Sequence, residues 1–190
     1  MNFWQGGAGL AYRVKKTIVL VGMMGAGKTA VGQALARQLN VPFLDSDHEI
    51  TRAANLEISE IFARDGEAFF RDREAEVIAR LLKDERGVLS TGGGAFMAER
   101  NRDIISTAGV SVWLQADLEL LWQRVRHRDT RPLLRTSDPY ATLSKVFHER
   151  DPIYSTANIT VKAHAKYSIE RMASEVIQAL RSRPDVIEKV

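Results

Sequence analysis

Thr17-Ile18-Val19-Leu20-Val21 runs without a break into Gly22-Met23-Met24-Gly25-Ala26-Gly27-Lys28-Thr29. The first five residues read as a buried strand. The next eight fit G-x-x-x-x-G-K-[ST], and a helix-forming stretch from Ala30 to Leu39 follows at once. Glycines let the chain turn sharply, so that successive N–H groups point inward at phosphate oxygens. The positive end of the following helix adds to that field. Gly22, Gly25, Ala26, Gly27 and Ala30 are therefore expected to cradle a polyphosphate. Lys28 is expected to reach the β- and γ-phosphates, and the Thr29 hydroxyl to ligate Mg²⁺. A glycine-rich turn with a surface lysine is the plain alternative. The strand–loop–helix context argues against it, and the chain is read as binding a nucleoside triphosphate.

Downstream, strands and helices alternate, the pattern of a parallel α/β sheet. Asn40 ends the first helix. Val41-Pro42-Phe43-Leu44 reads as a strand that stops at Asp45-Ser46-Asp47, and a helical region runs from about His48 to Asp84 with a break near Asp65-Gly66. Val88-Leu89-Ser90 is a short strand entering Thr91-Gly92-Gly93-Gly94. A helix over Ala98 to Ala108, a strand at Val110 to Leu114 and a helix capped by Asp117 come next. The polar, basic segment from His127 to Pro139 has little helical pattern and suits a surface loop or a mobile lid. A helix from Tyr140 to about Arg150, a strand at Asn158 to Val161 and a helix from Ser168 to about Arg181 complete the pattern.

The 190 residues, 45% hydrophobic and 27% charged, suit one ordinary globular domain. A net charge of +3 with no clustered basic face argues against nucleic acid as a partner. There is no cysteine, so disulfides and thiolate metal sites are excluded, and His48, His127, His148 and His164 show no metal-ligand spacing. No apolar run has the length needed to cross a membrane, and Met1 to Lys16 lacks the apolar stretch of a secretory signal. These features predict a cytoplasmic protein with no membrane partner, expected as a monomer. The expected organisation is a loosely ordered extension over 1–16, a single domain over 17–182 with a lid at about 127–139, and a tail over 183–190.

Transfer of a phosphoryl group needs positioning and charge neutralisation more than covalent help. Asp45 and Asp47 sit at the carboxyl end of a parallel strand, where ligands of open α/β sheets gather. Alternation along an extended segment would put both on one face, Asp45 toward a metal-bound water and Asp47 toward a substrate hydroxyl. A strand-end turn with a helix N-cap is the competing explanation for this pair. A carboxylate with an ordinary pKa near 4 cannot deprotonate a ground-state alcohol, so Asp47 would act only late in the transfer. Gly92-Gly93-Gly94 suggests a close approach of backbone to ligand, since three glycines in a row cost backbone entropy. Arg71 and Arg150 taken singly read as surface arginines. Arg131, before Pro132-Leu133-Leu134, could swing over the phosphates from the lid.

Taken together and in order, these blocks resemble the shikimate kinase family, in its proteobacterial form. The matching residues are the Gly22–Thr29 loop, Asp45-Ser46-Asp47, Phe70-Arg71 with Glu74, Gly92-Gly93-Gly94, Arg131-Pro132-Leu133-Leu134, and Arg150 with Pro152 and Tyr154. The resemblance implies a three-layer P-loop NTPase of nucleoside-monophosphate-kinase type, with a central parallel sheet and a mobile lid. It implies ATP-dependent phosphorylation of the 3-hydroxyl of shikimate to shikimate 3-phosphate and ADP, on the chorismate route to aromatic amino acids. By position, Asp47, Arg71, Gly92, Gly93, Gly94 and Arg150 would hold shikimate. Lys28, Asp47 and Arg131 would act in catalysis, with Arg131 also touching ATP. Thr29 would bind Mg²⁺ with Asp45 behind it.

The residue types agree with that implication. Two arginines and backbone N–H groups suit a carboxylate, and an aspartate suits vicinal hydroxyls. Thr156 stands where many relatives carry glutamate, and the loop from His164 to Tyr167 lacks the arginine that often packs on adenine. Another small hydroxy-acid kinase, such as a gluconate kinase, is the alternative enzyme. A GTPase-type switch is the alternative class: Asp84-Glu85-Arg86-Gly87 matches D-x-x-G, but it follows a charged segment rather than an apolar strand, and no N-K-x-D follows.

Overall fold

The structure, a computed structural model, describes residues 11–127 and 132–190. Its centre is a five-stranded parallel sheet in the order β3-β4-β2-β5-β6. The strands are β2 (Thr17–Val21), β3 (Phe43–Asp45), β4 (Val88–Ser90), β5 (Gly109–Gln115) and β6 (Ile159–Lys162). β2 lies in the middle with every residue buried, which is why it reads as an unbroken apolar run rather than an alternating one. Crossover helices cover the sheet in layers. Helix α1 (Lys28–Leu39) packs against α7 (Ile169–Leu180), and α3 (Ile58–Asp84) packs against α4 (Glu99–Ala108).

Helix boundaries follow local chemistry. Asn40 closes α1 in the left-handed region (φ 53), as its position in the sequence suggested. Ser168 accepts from Arg171 N at 3.0 Å to start α7, and Asp117 accepts from Leu120 N at 2.9 Å to start α5 (Leu118–Val125). The long helical region divides twice. Helix α2 (Ser46–Ala54) ends at Asn55 (φ 51), and α3 carries a kink at Gly66, whose φ of 84 and ψ of 171 belong to no helix. Ile50, Ile61 and Phe70 form a small apolar cluster of their own around this kink, apart from the main core.

Two expectations need correction. Of the extension expected to be loosely ordered, residues 1–10 lie outside the described residues, while Tyr12–Val14 form a strand whose partner comes from the tail over 183–190. β1 (Tyr12–Val14) pairs antiparallel with β7 (Ile187–Lys189), and Arg13 and Lys15 both reach Glu188, at 3.0 and 3.2 Å. Sequence patterning misses such a pair because each strand has only three residues and gains its partner across the whole chain. Helix α6 (Pro139–Tyr154) runs a full turn beyond Arg150 despite Pro152. Pro152 has no N–H to give the carbonyl one turn back, and the fully buried Tyr154 anchors the turn beyond it. Within the segment read as a lid, Pro132–Leu134 form a 3-10 turn with Leu134 buried against the core. No helix among the described residues is long and apolar enough to cross a membrane.

Candidate active site

The loop between β2 and α1 wraps on itself. Gly25 and Gly27 adopt φ of 83 and 91, conformations that side-chain-bearing residues rarely accept, and Gly27 is the N-cap of α1. A Cβ on Gly25 would also strike Val125 at 2.7 Å, so α5 presses directly on the loop. The Lys28 ammonium curls over the loop, donating to the Gly22 carbonyl at 2.7 Å and the Met23 carbonyl at 3.0 Å. Gly25 through Ala30 line a cavity of about 570 Å³ that also takes in Asp45, Asp47, Gly92 and Gly93.

Asp45 resolves the choice left open by its sequence. Its Oδ1 accepts from Asp47 N and His48 N at 3.0 and 3.2 Å, capping α2, while Oδ2 accepts from the Thr29 hydroxyl at 3.4 Å. It is a cap and a partner of Thr29 together. The extended face that was to align Asp45 with Asp47 does not exist, because the helix starts at Ser46. A carboxylate that takes two backbone N–H groups winds the chain at that point. Both aspartates nevertheless line the cavity.

The turn Gly92-Gly93-Gly94 gathers the remaining residues. A Cβ on Gly92 would stand 2.7 Å from Asp47 Oδ1, and one on Gly94 would stand 2.7 Å from an Arg71 nitrogen. A Cβ on Gly93 would lie 3.6 Å from Arg150 Nη1 and 3.7 Å from Met24 N of the phosphate loop. Three side chains from α2, α3 and α6 thus close on one glycine turn that abuts the cradle. Arg71 and Arg150 do not line the cavity itself; they flank the turn that does. Arg150 Nη1 donates to the Gly93 carbonyl at 3.0 Å, and the Tyr154 hydroxyl donates to the same oxygen.

Arg71 is held by Glu74, which is almost completely buried, at 2.8 Å. Burial pushes the Glu74 carboxyl upward; Arg71 pulls it back, and the nearby Asp47 charge pushes the same way as burial. Burial opposes the Arg71 guanidinium, but its pairing with Glu74 and Glu67 outweighs that and raises it.

Two groups at the site have no role in the sequence reading. Arg124 of α5 donates to the Gly25 carbonyl at 3.2 Å and lines the cavity, its guanidinium pushed down by burial. It is hidden in the sequence by the apolar stripe of Leu121 and Val125 around it. Tyr154 stands in a matching block, but a lone tyrosine carries no pattern that marks its hydroxyl. Arg131 lies outside the described residues.

The family model described as shikimate kinase matches residues 24–181. This chain belongs to the shikimate kinase family. It is 64% identical over 180 residues to a shikimate kinase of Ruegeria pomeroyi, covering 95% of this chain and 92% of that one. Among solved structures, the shikimate kinase of Acinetobacter baumannii in complex with shikimate is 39% identical with a TM-score of 0.82, covering 88% of this chain and 93% of that one. A gluconokinase of Sinorhizobium meliloti, 19% identical with a TM-score of 0.60 over 90% of this chain and 94% of its own, shares the fold alone.

Proposed function

We propose that this chain transfers the γ-phosphoryl group of ATP to the 3-hydroxyl of shikimate, giving shikimate 3-phosphate and ADP. The observation that carries this reading is the glycine turn at 92–94, which brings Asp47, Arg71 and Arg150 together beside the phosphate loop. A cyclic polyol acid needs both halves of that arrangement. Its carboxylate takes charge-assisted bonds from Arg71 and Arg150 and from N–H groups of Gly92, Gly93 and Gly94, and its hydroxyls face Asp47.

In the reaction, Gly22, Gly25, Ala26, Gly27 and Ala30 hold the phosphates through main-chain amides. Lys28 leaves its loop carbonyls to neutralise charge on the β- and γ-oxygens. Asp47 orients the 3-hydroxyl in line with the γ-phosphorus and accepts its proton late, once the new bond has weakened the O–H. Arg131, from its place in the sequence, adds a cation over the migrating group. Arg124, His164, Tyr167 and Met172 line one part of the cavity and suit a flat base.

The donor set fits magnesium, which takes one or two protein oxygens and leaves the rest to phosphate and water. Thr29 would bind it directly and Asp45 through water, and the ion would spread the phosphate charge. We expect a cytoplasmic monomer acting on this small molecule, with no nucleic acid or membrane partner.

A coupled ADP-release assay with shikimate, gluconate and nucleoside monophosphates tests the assignment. Turnover is expected with shikimate. Turnover of gluconate in its place would overturn the reading.

A further inference from the structure

Gly93 is the one residue of the turn whose carbonyl is gripped twice. Arg150 Nη1 donates to it at 3.0 Å, and the Tyr154 hydroxyl donates to it as well. Both donors stand on α6, one turn apart, so they reach out from the same side of the helix. A carbonyl oxygen has two lone pairs, and here both are engaged.

The two donors differ in what else they must do. Arg150 carries a charge at a half-exposed site and is the group an acid substrate would draw toward itself. Tyr154 is only 1% exposed. Its ring lies between Phe96 and Trp113, with centroids 6.4 and 6.2 Å away, and Trp113 in turn approaches Gly22 of the phosphate loop. Burial pushes its phenol up to about 12 against the pull of Arg150, so it stays a donor at any working pH. A peptide between two glycines meets little steric resistance to flipping. A trans peptide also points its C=O and the next N–H in opposite directions. Holding Gly93 O toward α6 therefore turns the Gly94 N–H away from it.

We propose that Tyr154 is a positioning residue of the acid subsite. Its hydroxyl fixes the Gly93–Gly94 peptide in the substrate-ready orientation. It also keeps the Gly93 carbonyl satisfied when Arg150 turns to the substrate anion, so Arg150 can move without leaving a half-buried acceptor unpaired. This rests on the assignment of shikimate as acceptor, and it concerns the acid end alone.

Tyr154→Phe removes one oxygen and keeps the stacked ring. The KM for shikimate is expected to rise about 3- to 10-fold, as one lost neutral hydrogen bond allows. The KM for ATP should move by less than about twofold. Amide hydrogen exchange should speed up at Gly93 and Gly94 but not at Gly25 or Gly27. An unchanged shikimate KM, an equal rise in both KM values, or loss of the fold in Tyr154→Phe would make the hydroxyl a structural strut and overturn the proposal. The parent enzyme in the same assay separates the two ideas. If it does not turn over shikimate, the functional assignment fails; if it does and the variant binds shikimate equally well, only the role of Tyr154 fails.

Discussion

The proposed phosphate end and the proposed acid end of this site meet at Gly93 and Met24, yet they are built in opposite ways. The phosphate end is continuous: residues 22–30 supply its amides, its ammonium and its hydroxyl, and the glycines set its shape locally. The acid end is assembled from α2, α3, the turn after β4 and α6, with partners up to 61 residues apart in a single hydrogen bond. A local device fails by losing a group. An assembled device also fails by losing a distance.

The sharpest contrast comes from removing charge at each end. Lys28→Ala should lower kcat about 100- to 1,000-fold, the usual cost of deleting one preorganised charge on a transferring group, with little change in the KM for shikimate. Steady-state kinetics against both substrates reads this directly. Asp47→Asn should lower kcat about 100-fold while nucleotide affinity, followed by titration calorimetry, stays near that of the parent. Unchanged turnover in that variant would remove Asp47 from the chemistry.

On the acid side, Arg71→Ala should weaken shikimate binding by roughly 1.5–3 kcal/mol, the range for a lost charged hydrogen bond, and leave ATP binding intact. Gly66→Ala probes distance rather than charge. A Cβ there meets nothing within 4 Å, so the only penalty is the backbone conformation, about 1–3 kcal/mol. Because Arg71 follows this kink, the shikimate KM should rise while the ATP KM holds. Equal effects on both would erase the contrast between the two ends.

The smallest effect belongs to the terminal clasp. Hydrogen bonds from Arg183 and Lys16 hold the Asp185 carboxyl below the usual carboxylate range, and Lys15 and Arg13 do the same for Glu188. Their folded pKa values are depressed, so the stabilisation is present above about pH 4 and is lost as pH falls through the lowered values. Asp185→Asn should flatten the acid limb of a thermal-midpoint profile and leave shikimate turnover at neutral pH unchanged.

How far each part could be read follows the same division. The strand–loop–helix at 17–39 and the alternation behind it were legible because their signals lie within a few residues of one another. Asp47, Arg71, Gly92, Gly93, Gly94 and Arg150 can be proposed as site residues only as an ordered set resembling a family, since each alone is an ordinary cap, surface charge or turn. The contacts of Arg124 and Tyr154 were not legible, because each lies in a carbonyl reached across the fold. The β1–β7 clasp escaped notice for the same reason.

By itself the sequence determined the strand–loop–helix around the glycine-rich motif, the parallel sheet and the family. Backbone conformation and hydrophobic periodicity are properties of neighbouring residues, so a linear reading reaches them. Only the tertiary structure decided that Asp45 caps a helix while touching Thr29, that Glu74 is buried against Arg71, and that Gly93 is gripped from α6. Those facts depend on distances between segments far apart in the chain, and packing of the core sets such distances.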